Sequence, residues 1–365
     1  MLKAIENAAR RLLLRGLVGV LGGRRDTPLP DWRARPHRVL FIRDDGIGDF
    51  IVSIEVMRAI AESSPTITFD IVASPQNAPI ARTLPFVNEV IVHQRGSLLK
   101  ALPTWRRLRR NRYDAVVDGR VAVRNVNMQT SCLLLSTRAP WRIGLAGRGN
   151  DQVYTVKIPE ENLPHWTDQV VALAAPFGVK PDSRDWRPRI PMPADLRAGA
   201  EATWNRVGPG PRVLVNLSVG HPERWWPPER YVPVLRRVRE RVPNAAIMLV
   251  GMPDELAAAE ELAKPVGASV ISLSLHEVIA AVATADLLIS PDTSVTHAAS
   301  AFETTTLCLQ RKDTGQWSPY KTQGRVVFSD DPKRVAPLPP ERVVAALDSL
   351  IDELGPSLRS GMTPR

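Results

Sequence analysis

Two rhythms of apolar residues alternate along this chain. Residues 38–43, RVLFIR, form a short, almost continuous apolar run, the pattern of a strand buried on both faces. Behind it DDGIGD, residues 44–49, reads as a glycine-rich turn, and from Phe50 the apolar positions fall at Phe50, Ile54, Met57 and Ala61, a helical face that Pro65 closes. Strands at 67–73, 89–93 and 115–118 then alternate with helical stretches, and a strand at 153–158 leads to a helix over 166–177. After a Pro-rich hinge at 181–193 the pattern restarts, with strands at 213–217, 246–250, 269–273, 287–290 and 306–310 and helices at 228–241, 254–263 and 276–283. A further helix opens at Asp292, Thr293 and Ser294, with Val295, Ala298, Ala299 and Phe302 along one face. The pattern predicts an α/β protein of two Rossmann-like domains, 37–185 and 186–338, facing across a ligand cleft. A terminal helix at 340–354, in a C-terminal segment of 339–365, precedes a loose tail.

The first 22 residues follow neither rhythm of the domains. Leu2, Ile5, Ala9, Leu12, Leu13 and Val20 share one face of a basic amphipathic helix, with Arg11 and Arg15 pointing elsewhere. The segment lacks the uninterrupted run of ~20 apolar residues that spans a bilayer, and it carries no small-residue cleavage site of a secretory signal. Two roles fit it, attachment to an anionic lipid surface or packing against the body of the protein. A polar, Pro-rich linker, 23–36, follows.

Composition narrows the function classes. With 365 residues, 44% hydrophobic and 24% charged, the chain is globular and long enough for two cores. Its net charge of +10 calls for an anionic partner. Nucleic acid is not that partner, because only 5% of residues are aromatic and no recognition helix, zinc finger or stacking platform is visible. The basic excess is densest from Arg95 to Arg112, including Lys100, Arg106, Arg107, Arg109 and Arg110. Cys132 and Cys308 lie in apolar runs without a partner at metal spacing, as buried thiols of a reducing compartment do.

Candidate chemistry gathers where strands end. In an open α/β sheet, ligands bind outside the carboxyl ends of the strands, so the loops at 44–49, 218–226 and 290–294 are the expected site. The first offers carboxylates, the second offers Arg224 and backbone donors, and the third offers a helix N-terminus with Thr293 and Ser294. Gly46 and Gly48 make only part of a dinucleotide fingerprint, and Asp44 with Asp45 is too little for a metal site. A carboxylate opposite a diphosphate site is the layout a nucleotide-sugar transferase needs. One group takes the proton of an acceptor hydroxyl while the other neutralises the departing diphosphate. His221 and Glu277 lie near enough to touch a nucleotide, although each reads more simply as a surface residue.

RVLFIRDDGIGDFIVSIEVMRAI, VNLSVGHPERWWPPERYVPVL and LLISPDTSVTHAASAFETTTLCL resemble the three signature regions of the ADP-heptose:lipopolysaccharide heptosyltransferases, family 9 of the glycosyltransferases. Weaker similarity in YDAVVDGR, RIGL and HWTDQVVALAAPFGV extends the match over roughly residues 36–350. The resemblance implies a GT-B fold and transfer of heptose with inversion, without a metal or bound cofactor, the nucleotide sugar being a co-substrate. It places Asp49, after Gly48, at the catalytic aspartate. Arg224 stands where the family has a lysine on the donor phosphates, and Asp292, Thr293, Ser294 and His297 stand at Asp-Thr-Gly-x-x-His, serine replacing glycine. In place of a Phe-Gly-Pro-Thr loop the chain carries LQRKD, residues 309–313, which puts Lys312 near the expected diphosphate and leaves the donor's sugar or base open. Gly48, Arg120, Arg124 and the run 106–112 are expected to meet an anionic glycolipid acceptor. The implied location is the cytoplasm, on the inner face of the cytoplasmic membrane.

Overall fold

A computed structural model describes residues 2–22, 28–96, 98–120, 126–147, 149–161 and 163–355. The chain divides into two compact units, Met1–Pro188 and Arg189–Arg365. In the first unit the strands are β1 (His37–Arg43), β2 (Ile67–Ala73), β3 (Glu89–Val92), β4 (Ala115–Asp118), β5 (Trp141–Leu145) and β6 (Val156–Ile158). The second unit carries β7 (Arg212–Asn216), β8 (Ala246–Val250), β9 (Ser269–Val270), β10 (Leu287–Pro291), β11 (Thr305–Gln310) and β12 (Gly324–Phe328).

All pairings are parallel, and the orders are β3-β2-β1-β4-β5-β6 and β12-β11-β10-β7-β8-β9. Read from its own first strand, each sheet has the same doubly wound order. Each therefore has one place where the direction of winding reverses, between β1 and β4 and between β7 and β10. Such a switch point opens a crevice at the carboxyl ends of two neighbouring strands, and the candidate loops lie there.

Burial on both faces explains why these strands read as apolar runs. Leu40, Phe41, Ile42, Val213, Leu214 and Val215 are fully buried. The second core gathers Val215, Leu235, Leu249, Ile289, Leu307 and Leu347. Its C-terminal helix, Pro340–Leu354, buries Val343, Leu347, Leu350 and Ile351, the 3.6-residue spacing of one face.

The structure departs from the sequence pattern in identifiable places. The helix after β1 starts at Ile47, three residues before the first apolar marker, so Gly48 and Asp49 lie in its first turn and Gly46 is the N-cap. β5, β12 and the helix Ala194–Val207 have no counterpart among the predicted elements. Alternation does not mark β5, because all five of its residues are buried, Arg142 included. The expected helix at 166–177 is an α-helix only to Val171 and a 3₁₀ turn over Ala172–Phe177, since Pro176 cannot continue the α ladder. β9 is two residues long and β6 is three. Cys308 is buried and Cys132 half-buried, both as free thiols.

Candidate active site

Arg43, the last residue of β1, organises the first switch point. It is 1% exposed, and its guanidinium donates from Nε to the Asp49 carbonyl at 2.9 Å and from Nη2 to the Asp49 carboxylate at 3.3 Å. Nη1 reaches the Asp45 carboxylate at 3.2 Å and the Gly119 carbonyl beyond β4. One buried cation thus ties the turn after β1 to the loop after β4. Two glycines permit the approach. A Cβ on Gly46 would stand 2.9 Å from Asp49 Oδ2, and one on Gly119 would stand 2.3 Å from the Phe41 ring.

The carboxylates around Arg43 differ in character. Asp49 keeps 27% of its side chain exposed and is the carboxylate at this switch point most open to a substrate. Asp45 is more enclosed, and burial, with the like charges of Asp49 and Asp44, pushes its carboxyl up against the opposing pull of Arg43 and Arg120. Burial would raise Asp44 too. The Arg95 fork, Nε at 3.3 Å and Nη2 at 3.0 Å, outweighs it and holds that carboxyl below the ordinary range. Asp118, at the end of β4, is fully buried and pushed up by burial. It accepts from Tyr154 at 2.6 Å and from the Arg120 amide at 3.1 Å.

Arg120 is turned inward. Only 7% exposed, it donates to Thr130 and lies 3.7 Å from the Asp45 carboxylate, so it braces the turn rather than presenting charge on the surface. Arg124 lies outside the described residues.

The second switch point is built from polar residues that end β7 and β10. Asn216 donates to Ser290 Oγ at 3.0 Å, to Thr293 Oγ1 at 3.3 Å and to the Ser218 carbonyl at 3.1 Å. Thr293 caps the helix Ser294–Phe302, accepting from the Val295 amide at 3.3 Å. Ser294 is the first helical residue and is half-buried. Its φ lies outside the left-handed range, so its backbone makes no demand that only glycine could meet. Asp292 is 3% exposed and His297, one turn into the helix, 4%.

Arg224 joins the loop after β7 to this helix entrance. Its Nη1 donates to the Asp292 carbonyl at 2.9 Å, and its Nε lies 3.7 Å from the Asp292 carboxylate. A half-buried guanidinium beside the positive end of a helix is an anion site, and the carboxylate behind it fixes its direction. In the 309–313 segment, Arg311 reaches towards Glu223 at 3.9 Å while Lys312 is exposed, and Asp313 takes a left-handed turn at φ 64°. Glu277 serves its own helix, completing a capping box with Ser274, and His221 is exposed. Among the described residues no group of three or more His, Cys, Asp and Glu side chains is arranged to hold a metal ion.

The residues that sequence reasoning missed are Arg43 and Asn216, each the polar last residue of a buried strand.

Comparison with known families places the chain. The profile of glycosyltransferase family 9 (heptosyltransferase) matches residues 102–336. The chain belongs to glycosyltransferase family 9. It is a glycosyltransferase of GT-B fold, and solved structures agree with that fold. The glycosyl transferase family 9 protein of Veillonella parvula superposes with a TM-score of 0.75 at 16% identity, covering 90% of this chain and all of that one. ADP-heptose LPS heptosyltransferase II of E. coli gives 0.69 at 17%, covering 87% and 99%. E. coli heptosyltransferase WaaC, solved with ADP-2-deoxy-2-fluoro heptose, gives 0.67 at 19%, covering 87% and 100%. A search of curated protein sequences found no match.

Proposed function

We propose that this family 9 enzyme transfers heptose, with inversion and without a metal, from ADP-heptose to the lipopolysaccharide core or a related envelope glycolipid, at the cytoplasmic face of the inner membrane. The observation that carries the reading is the pairing of site types. A partly exposed carboxylate, Asp49, is held by buried Arg43 at one switch point, and a guanidinium and helix terminus suited to a diphosphate form the other. Two of the similar structures are an ADP-heptose heptosyltransferase and a heptosyltransferase holding an ADP-heptose analogue, which supports the donor assignment.

In the proposed reaction the acceptor hydroxyl oxygen attacks the anomeric carbon on the side away from the diphosphate. The new C–O bond forms as the bond to the phosphate oxygen breaks, and the electron pair departs with ADP. Asp49 takes the hydroxyl proton, with Gly48 beside it in the first helical turn on the acceptor side. The added negative charge on ADP is met by Arg224 and by the amides at the start of Ser294–Phe302, with Thr293 and Asp292 fixing both and His297 and Lys312 completing the donor side. Cation and helix terminus do here what a divalent metal does in other transferases. For the acceptor, the exposed arginines of Leu98–Asn111 and the segment bearing Arg124 supply positive charge, with Arg120 acting behind the surface.

Calorimetric titration with ADP-heptose, ADP and UDP-sugars, with and without added divalent cation, tests this. Metal-independent binding selective for the adenine donor is expected. A preference for uridine donors would leave the family and fold standing and sink the donor assignment.

A further inference from the structure

The helix Leu2–Leu21 offers two apolar faces, and the fold uses one. Leu14 and Val18, 0% and 3% exposed, join the first unit's core, with Leu17 and Leu21 packed against it. At 100° per residue Ala9, Leu12, Leu13 and Val20 fall on the opposite side. Leu12, Leu13 and Val20 are 71%, 60% and 83% exposed, an apolar stripe along a single helix that Gly16 interrupts. Packing against the body of the protein therefore accounts for the helix without accounting for this face. Arg11 and Arg15 flank the stripe and are exposed.

Charge lies beside it. The helices Leu2–Leu21 and Leu98–Asn111 both pack on the helix Met128–Ser136, forming one layer on the first sheet. In Leu98–Asn111, Arg106, Arg107, Arg109 and Arg110 are exposed. Where this layer ends, an open pocket of about 490 Å³ is lined by Arg109, Arg110, Arg112, Tyr113, Thr137 and Arg138, four guanidinium groups and no carboxylate. Arg142 pins the stripe-bearing helix to that corner, donating to the Gly22 carbonyl at 2.7 Å and to the Ala139 carbonyl at 2.8 Å.

We propose that this layer is a docking surface for an anionic phospholipid bilayer, with Leu12, Leu13 and Val20 entering the interface and the arginines of the pocket holding lipid phosphates. Apolar side chains beside long basic ones are what such a surface selects, because the former gain by leaving water and the latter reach up to the headgroups. A second copy of the chain is a poorer occupant, since a two-fold contact would set like-charged arginines against one another. The proposal deepens the membrane reading above and rests on it only for biological purpose, because lipid binding is measured without any transfer reaction.

The test is sedimentation of the full-length protein with phosphatidylcholine vesicles, with and without phosphatidylglycerol, for wild type, Leu12→Asp/Leu13→Asp and Arg109→Glu/Arg110→Glu. Wild type is expected to partition onto the anionic vesicles. Each double variant should lose roughly tenfold or more, and the first should keep its Tm because both leucines are already exposed. Wild type that ignores anionic vesicles, or a Leu12→Asp/Leu13→Asp protein that binds them as well as wild type, would overturn the proposal. So would a dimer that the same variant splits while lipid binding stays unchanged. Vesicle binding by a protein that rejects ADP-heptose would leave the docking surface standing and remove the donor reading.

Discussion

At the scale of single residues, the account turns on which charges are held and which are offered. Arg224 is offered: its guanidinium is partly exposed, steered by Asp292 and pointed at a helix entrance. Losing a charge-assisted contact of about 1.5–3 kcal/mol should raise the donor KM roughly 10- to 100-fold in Arg224→Ala, with Arg224→Lys intermediate because lysine lacks the fork. Initial rates against donor concentration check this, and an unchanged KM would remove Arg224 from the diphosphate site. Asp44 is held. Burial opposes its charge, and Arg95, the strongest of its three cationic neighbours, with Arg120 and His93, overcomes that. A carboxyl held below its ordinary value of about 3.9 contributes stability above that pH and loses it as pH falls through the folded value. Without Arg95, burial pushes the same carboxyl up, and it then costs stability at neutral pH. The Tm deficit of Arg95→Met should therefore be largest near pH 7 and shrink as the pH falls towards about 4 and below it. A deficit independent of pH would show that Arg95 acts through packing alone.

At the scale of elements, most of the architecture was legible because buried parallel strands announce themselves as apolar runs. What escaped did so for physical reasons. β5 contains Arg142, whose charge hides a strand that is buried throughout; its guanidinium is satisfied by the Val153, Ala139 and Gly22 carbonyls, contacts that exist only after folding. The helix after β1 begins at Ile47 because its entrance is set by Arg43 and Gly46, not by apolar spacing. Of the candidate site, the position of its loops could be read from strand ends. Arg43 and Asn216 could not, since nothing local says that a polar residue at the end of a strand will be drawn inward to bind two segments together. Arg120 reversed in the same way, from an expected surface contact to an internal brace. Glu277 makes the opposite point, a residue considered for the nucleotide that is spent on its own helix. Ser274→Ala should cost about 1 kcal/mol in chemical denaturation by removing that capping box, with donor affinity unchanged. A loss of donor affinity in this variant would return Glu277 to the site.

At the scale of the whole molecule, two sheets of one topology put Asp49 at the switch point of one unit and Arg224 beside a helix entrance at that of the other. In the proposed reaction the first of these sites takes the hydroxyl proton and the second meets the departing diphosphate. Whether Asp49 is the base is read from kcat for transfer from ADP-heptose by Asp49→Asn, with donor Kd determined on the same preparation. Asparagine can keep an oxygen for the Arg43 fork but cannot take a proton. A fall in kcat of about 10²- to 10⁴-fold with Kd within about twofold of wild type is predicted. Turnover close to wild type would contradict the account, whatever the donor proves to be.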